Sequence, residues 1–184
     1  MNIKKTANLL LNFAIKRLAE IFGVSIFLVG LMLFISLFSY SPDDPNFIFP
    51  ENTEIKNLLG FQGSYTSDLF FQSIGLITYL IPFTYIFTGI NIFKNKEILI
   101  FLENTFFIIL YSLIGSLFFS FYYSNSFSLY INGNGGFVGN FLNKIFFNKI
   151  FSTYEIIFYY ILVIIILILF LLSINFKIKS FISI

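Results

Sequence analysis

IIFYYILVIIILILFLLSINF, residues 156–176, runs from end to end without a charge. A helix crossing the ~30 Å hydrocarbon core of a bilayer needs about 20 predominantly apolar residues. Three further stretches read the same way. Ile21–Phe38 and Leu69–Phe93 are uncharged throughout, and Ile98–Phe121 contains only Glu103. Each is long enough for one crossing and too short for two. Lipid offers no hydrogen-bond partners to a backbone, so these segments are read as helices despite their β-branched and aromatic content. The expectation is an all-α membrane protein, one polytopic domain over residues 1–184. Its spans are placed at about 18–39, 68–93, 98–121 and 155–176, with connecting loops 40–67 and 122–154.

Composition agrees with this. The chain is 58% hydrophobic and 11% charged, with a mean hydropathy of +0.89. Water-soluble domains are roughly one-quarter charged. The first span follows Lys4, Lys5, Lys16 and Arg17 and precedes Ser39 and Ser41, an arrangement shared with signal peptides. Its apolar core exceeds the roughly 7–15 residues of such a peptide, so it reads as a retained anchor.

The basic residues orient the spans. Lys4, Lys5, Lys16, Arg17, Lys94, Lys96, Lys177 and Lys179 fall on one side; Lys56, Lys144 and Lys149 fall on the other. Positively charged loops stay cytoplasmic. Both termini and the Lys94–Glu97 turn are therefore expected in the cytoplasm of a bacterium, with both long loops outside its inner membrane.

The loops differ in character. The first is acidic, with Asp43, Asp44, Glu51, Glu54 and Asp68 against Lys56. Pro42 and Pro45 bias SPDDPNF toward turns and extended chain. Glu54–Leu59 is read as a short helix stopped by Gly60, and Ser67 as a cap for the second span. Asp68 suits a helix start, where the dipole favours an acid. The second loop has NGNGG at 132–136, a strong turn signal. Beyond it Phe137, Val138, Phe141, Leu142, Ile145, Phe146 and Ile150 recur at helical spacing, opposite Asn140, Asn143, Lys144 and Asn148. That pattern predicts an amphipathic helix on the outer membrane surface; a re-entrant dip into the bilayer is the competing reading.

Few residues offer chemistry. With no Cys or His, disulfides, the usual zinc sites and His-based catalysis are excluded. No Gly-Lys pair exists for a phosphate-binding loop, and no basic patch interleaved with aromatics suggests direct contact with nucleic acid. No catalytic, cofactor-binding or metal residue is expected. Glu103, as an acid within a span, is a candidate proton or cation site. Its place near the start of the third span favours interfacial water or pairing with Lys94 or Lys96. Asp43 and Asp44 read as a solvated acidic turn, since two carboxylates fall short of the six to eight oxygens Ca²⁺ takes. Ser112, Ser116 and Ser120 with Gly115 form a small-residue stripe, and Gly23 and Gly30 offer another. Such stripes let helices approach closely in lipid, within the chain or between copies. Pro82 is expected to kink the second span.

Taken in order, these features resemble the N-terminal four-helix membrane domain of the FtsK/SpoIIIE family of DNA translocases. That domain has a loop of the type S-x-x-P-x-D-P-S, matched at Ser39, Pro42, Asp44 and Pro45, with Asn46 in place of the last Ser. Then come N-x-x-G-x-x-G, matched at Asn57, Gly60 and Gly63, an acid at Asp68 preceded by Ser67 instead of Ala, and a span with Gly75 and Pro82. The later GG-x-x-G-x-x-L is matched at Gly135, Gly136, Gly139 and Leu142. The likeness is close over roughly residues 20–145. It implies a membrane anchor and assembly module at the division septum, acting in cell division and chromosome partition. It further implies homo-oligomers, commonly hexamers, and contacts with other division proteins. The chain itself would be no enzyme and hold no cofactor, because the family's ATP-driven motor would lie beyond Ile184. The alternative is a small transporter or channel subunit of the inner membrane, for which Glu103 is the one intramembrane charge.

Overall fold

The computed structural model describes residues 3–45, 54–124, 131–147 and 154–175. Asn46, Glu51, Asn148, Lys149, Ile150, Lys177 and Lys179 lie outside them. The elements are α1 (Ile3–Phe38), α2 (Gly60–Ile74), a 3₁₀ segment (Gly75–Leu80), α3 (Ile81–Asn95), α4 (Leu99–Tyr122), α5 (Gly136–Leu142), a π-helical turn (Asn143–Phe147) and α6 (Glu155–Ser173). The described residues contain no strand. Four helical runs are long and apolar enough to cross a membrane: Asn8–Phe38, Gly60–Asn95, Leu99–Tyr122 and Glu155–Ser173. Four crossings put the described ends, at Ile3 and Asn175, and the α3–α4 turn at one end of the bundle (the terminal end) and the described parts of both long connections at the other (the loop end).

Helix α1 runs antiparallel to α3, and α4 to α6, with α3 joining the two pairs. The α1–α3 contact is close because glycines face each other. A methyl group at Gly23 would come within 2.8 Å of the Gly89 carbonyl oxygen, and one at Gly30 within 2.8 Å of the Ile86 nitrogen. In lipid, where apolar surface gains little by leaving one hydrocarbon for another, such close van der Waals contact is a main source of helix association. At the centre, Leu33, Leu37, Phe71, Ile77, Ile81, Ile108 and Tyr111 form the largest buried cluster. Helix α6 packs on α4 through Leu117, Phe118 and Leu162, and the Tyr159 ring lies against those of Phe118 and Tyr122. Ile156, Ile164, Leu167 and Ile168 of α6 remain exposed, as suits a helix whose outer side meets lipid.

The run from Gly60 to Asn95 is not one straight helix. Gly75 adopts φ 73° and ψ −150°, a combination open essentially to glycine alone. It ends α2, and six residues of 3₁₀ helix lead into α3. Tyr79, within that segment, meets both Phe71 of α2 and Phe38 of α1. The bend therefore brings α2 back against the end of α1. Pro82, expected to kink the span, sits instead in the first turn of α3, directly after the 3₁₀ segment, a helix-start position that proline tolerates. The break belongs to Gly75.

Three smaller expectations change. Residues 54–59 form no helix; they run as irregular chain into a turn. Gly60, with φ 64°, opens α2 and does not close a preceding helix. Ser67 is no cap, since it lies mid-helix with its hydroxyl 2.8 Å from the Gly63 carbonyl and 3.0 Å from that of Ser64. Asp68 is likewise inside α2, and nearly buried.

Candidate functional site

At the loop end the sequence motifs gather into two hydrogen-bonded knots, one at each end of α2. The first is built around Asp44. Far from being solvated, it is 1% exposed, and its two carboxylate oxygens accept the backbone amides of Lys56 and Asn57, each at 2.8 Å. The Lys56 ammonium turns outward to Asp43 at 3.1 Å. The side-chain amide of Asn57 then donates to the Ser36 carbonyl at 2.8 Å and the Ser39 carbonyl at 3.3 Å, while its oxygen accepts Leu59 N–H at 3.1 Å. Asn57 thus closes the end of α1, whose last carbonyls would otherwise lack partners. The Ser39 hydroxyl accepts from Leu58 N–H at 3.1 Å and donates to the Ile35 carbonyl at 2.6 Å. Ser36 donates to the Gly63 carbonyl at 2.7 Å, and Ser64 to that of Pro45 at 2.8 Å. A methyl group at Gly63 would overlap the Asn57 side chain. Pro42 lies in the turn between these contacts. Asp68, further along α2, accepts from Tyr40 Oη at 3.3 Å.

The second knot satisfies the broken helix. Beyond Gly75, Leu76 N–H donates to the Asn134 carbonyl at 2.9 Å. The carbonyls left open at the end of α2 are taken from outside the helix: Gln72 by the Asn132 side chain at 3.2 Å and Ile74 by the Ser116 hydroxyl at 2.8 Å. Asn140 links back to the Asn132 carbonyl at 2.7 Å and accepts from the Ser120 hydroxyl at 2.8 Å. Asn134 donates to the Tyr123 carbonyl. All of this requires the second loop to touch the bend. A methyl group at Gly75 would overlap the Asn134 carbonyl, and one at Gly136 would come within 2.6 Å of the Gly75 and Ile74 nitrogens. Gly135 and Gly139 lie against Ser116 and Ser120 of α4 in the same way. Gly75 and the Gly135–Gly139 motif, far apart along the chain, are therefore two halves of one contact.

The other residues singled out from the sequence fall as follows. Ser112, Ser116, Ser120 and Gly115 are buried within the chain, Gly115 against Ile77. Leu142 packs half-buried beside Phe118. Helix α5 and the π turn after it leave Phe137, Phe141 and Ile145 exposed, the two Phe rings stacked at 6.2 Å. Glu103 is exposed on α4. Lys96 does not reach it, because its ammonium pairs with Glu20 at 2.6 Å.

A polar seam near the terminal end has no counterpart among the sequence motifs. Thr84 of α3 bonds the Tyr111 hydroxyl at 3.1 Å and the Ser173 hydroxyl at 2.9 Å. One turn on, buried Asn104 donates to Thr88 at 2.7 Å and accepts from Asn175 at 3.0 Å, and Asn91 donates to the Ile174 carbonyl at 3.2 Å. The seam ties the last turn of α6 to α3 and α4. Its trace in the sequence is the i, i+4 spacing of Thr84 and Thr88 on α3.

These bonds hold chain to chain. Among the described residues no three acidic side chains converge on a point that could hold a metal ion. Two clefts along the helices are apolar grooves. One of about 530 Å³ runs along α1 past Ile26, Val29 and Met32 to Gln62 and Thr66. The other, about 380 Å³, lies between the 3₁₀ segment and α6.

The family described as the 4TM region of DNA translocase FtsK/SpoIIIE matches residues 15–183. Among individual relatives, the DNA translocase FtsK of Rickettsia typhi is 33% identical over 91 residues, 50% of this chain and 12% of the relative. That of Rickettsia prowazekii is 33% identical over 94 residues, 51% and 12%. That of Azospirillum brasilense is 32% identical over 88 residues, 47% and 14%. The match thus spans only a small part of each relative's length. No solved structure matches the chain.

Proposed function

The chain belongs to the family of 4TM regions of DNA translocase FtsK/SpoIIIE, and from that premise we propose that it acts as the membrane anchor and assembly module of an FtsK-like translocase in cell division and chromosome segregation. The observation that carries this is the family match across residues 15–183; the motif residues read from the sequence gather, within that range, in the two knots at the loop end. Their chemistry supports a scaffold. Carboxylate, amides and hydroxyls there tie the described parts of both loops to the helix ends, with Glu54 exposed and Asp43 paired with Lys56, a fixed surface suited to contacts with septal proteins. DNA movement would be the work of the motor that the relatives' names denote, with the last turn of α6 as its point of attachment.

In this reading the termini and the α3–α4 turn face the cytoplasm of the inner membrane, in line with the eight-to-three bias of basic residues. Helix α2 then lies at the outer face, and Gly75–Asn95 alone makes the second crossing. Its length, about 35 Å from 3₁₀ and α-helical rises, suits the hydrocarbon core. Phe137, Phe141 and Ile145 would rest in the outer headgroup layer. The exposed faces of α6 and α1 would pack against further copies, a hexamer being the arrangement the family resemblance implies. Transport is less well supported, because the two grooves described above are apolar and Glu103 lies on the exposed side of α4.

A fluorescent fusion of the chain in dividing cells tests the reading. A band at the septum is expected; a uniform membrane signal through constriction would sink it.

A further inference from the structure

Helix α1 is too long for its crossing. Its 36 residues span about 54 Å, against ~30 Å for the hydrocarbon core. Its packing ends abruptly. Ala19 is fully buried against Ile92 and Ile100, yet every residue from Asn8 to Leu18 is exposed. The exit point is pinned, since Glu20 is held by both Arg17 and Lys96. Beyond the pin, α1 leaves the bundle with Leu9, Leu10, Leu11, Phe13, Ile15 and Leu18 on its surface, Leu10 at 66% and Phe13 at 60% exposure.

These residues are not spread evenly. At 3.6 residues per turn, Asn8, Asn12 and Lys16 fall within about 80° of one another, and Lys5 extends that stripe by position. Most of the remaining circumference is apolar. Arg17 interrupts it, but its guanidinium is turned to Glu20 and lies 5.1 Å from the centre of the Phe13 ring. A wide apolar arc with lysines along a narrow polar stripe is the pattern of a helix lying in a membrane interface. The basic residues Lys4, Lys5, Lys16 and Arg17, set against Glu20 as the one acid before Ile21, complement the negative potential of an anionic leaflet.

We propose that Ile3–Leu18 is a lipid-binding arm, seated in the anionic headgroup layer at the terminal end of the bundle with its apolar arc toward the acyl chains and its lysine stripe toward the lipid phosphates. The assignment of that layer to the cytoplasmic leaflet rests on the orientation proposed above. Because α1 is one continuous helix from Ile3 to Phe38, seating the arm in that layer requires α1 to bend where its packing ends, at Leu18–Glu20; bent so, the arm would hold the membrane surface on the side where α6 ends.

The chain has no cysteine, so single nitroxide labels can be placed in the full-length protein at Asn8, Leu10, Asn12 or Phe13. In vesicles of phosphatidylethanolamine and phosphatidylglycerol, labels at Leu10 and Phe13 are expected to favour collision with oxygen, and those at Asn8 and Asn12 with a water-soluble nickel chelate. In vesicles of phosphatidylcholine alone the contrast should shrink. In the Lys5→Gln, Lys16→Gln variant the seated population should fall by roughly fivefold for each lysine removed. Water-like collision at all four positions overturns the proposal, as does a contrast indifferent to lipid charge. Dipolar broadening between Leu10 labels that survives dilution in lipid overturns it when oxygen collision at Leu10 and Phe13 is lost as well, because the arc is then covered by a second copy; broadening with that collision intact reports neighbouring copies and leaves the arm standing. Reduction of the Asn8 label by an impermeant reductant reads the orientation separately. Reduction from the unexpected side, with the depth contrast intact, would refute the orientation and leave the arm standing.

Discussion

At the loop end, helix is joined to helix mainly through the main chain: the Asp44 carboxylate on two backbone amides, Leu76 N–H on the Asn134 carbonyl, Ser116 on the Ile74 carbonyl. At the terminal end the joins run largely from side chain to side chain, Thr84 with Tyr111 and Ser173, Asn104 with Thr88 and Asn175, Lys96 with Glu20. A contact with the main chain needs one backbone geometry and, where chains pass closely, glycine. A contact between side chains needs only two polar groups within reach, which many residue pairs supply. The loop end should therefore be intolerant of substitution and the polar seam of the terminal end forgiving, the close glycine contact of Gly23 with Gly89 set apart, and graded substitutions can break that contrast or sharpen it.

The largest effect is expected at Gly75. Gly75→Ala imposes backbone strain of about 1–3 kcal/mol and drives a methyl group into the Asn134 carbonyl. If the second loop is displaced, Leu76 N–H and the open carbonyls of α2 lose their partners, at about 1–3 kcal/mol for each group left buried. A loss of roughly 3–5 kcal/mol in the detergent-solubilised protein is expected, with faster hydrogen exchange at residues 131–136. Gly136→Ala should behave alike, because it meets the same bend from the other side. If either variant melts like the parent, the two glycines do not form one contact.

Next is Asp44. Asp44→Ala leaves the amides of Lys56 and Asn57 without their carboxylate, for an expected loss of about 2–4 kcal/mol. Asp44→Asn keeps one acceptor and turns an NH₂ toward the other amide, so about half that loss should remain. Thermal unfolding of the three proteins side by side measures the order. An Asp43→Ala control, at an exposed carboxylate paired with Lys56, should change stability by less than about 0.5 kcal/mol.

The same contrast explains what could be read from the sequence. Four crossings were legible because spanning segments have a minimum length and tolerate little charge, a property of each residue by itself. The loop-end positions were singled out through the family resemblance, and Asp44 was read as solvated, because its burial depends on Lys56 and Asn57 folding over it. The partnership of the loop-end positions was not legible. Nothing in NGNGG says that it will meet Gly75, since the meeting depends on how α2, α4 and the second loop fold together. Ser67 and Asp68 misled because Ser followed by Asp before an apolar run has the composition of a helix start. The helix had in fact begun at Gly60, and its inward face is polar at Ser64, Ser67 and Asp68. Asn104 stayed invisible because a single polar residue in a span carries no spacing signal until its partner is known, and the Thr84–Thr88 spacing names no partner by itself.

At the terminal end a moderate effect is expected from Asn104. Interhelical hydrogen bonds in membranes average about 0.6 kcal/mol and reach about 1.7 kcal/mol. Asn104→Ala should cost about 1–2 kcal/mol, and its coupling to Thr88→Val in a double-mutant cycle should be near the average, about 0.6 kcal/mol. A double variant in which both partners are apolar should recover part of the single loss, because no polar group is then left unpaired. Coupling well above the top of that range would show that the seam, and not the knots, is the stiffest part of the molecule.

The smallest effect should come from the ion pair at Glu20. The Lys96 and Glu20 side chains are 37% and 14% exposed, and Arg17 remains beside Glu20 when Lys96 is removed. Exposed pairs of this kind are worth about 0.2–1 kcal/mol, and here the second cation takes over part of the attraction. A double-mutant cycle of Glu20→Gln with Lys96→Gln should therefore give less than about 0.5 kcal/mol, shrinking further as salt rises and screens the charges. The α3–α4 turn would keep its shape, because Lys96 holds it through its own left-handed backbone and an N–H bond of 2.7 Å to the Ile92 carbonyl. Lys96→Gly, which adopts that backbone more easily while losing the charge, separates the two contributions. If it is no less stable than Lys96→Gln, the main chain shapes the turn, and the dependence on backbone geometry extends to the end of the bundle where side chains otherwise predominate. If it is clearly less stable, the lysine side chain contributes packing there that the ion pair alone does not account for.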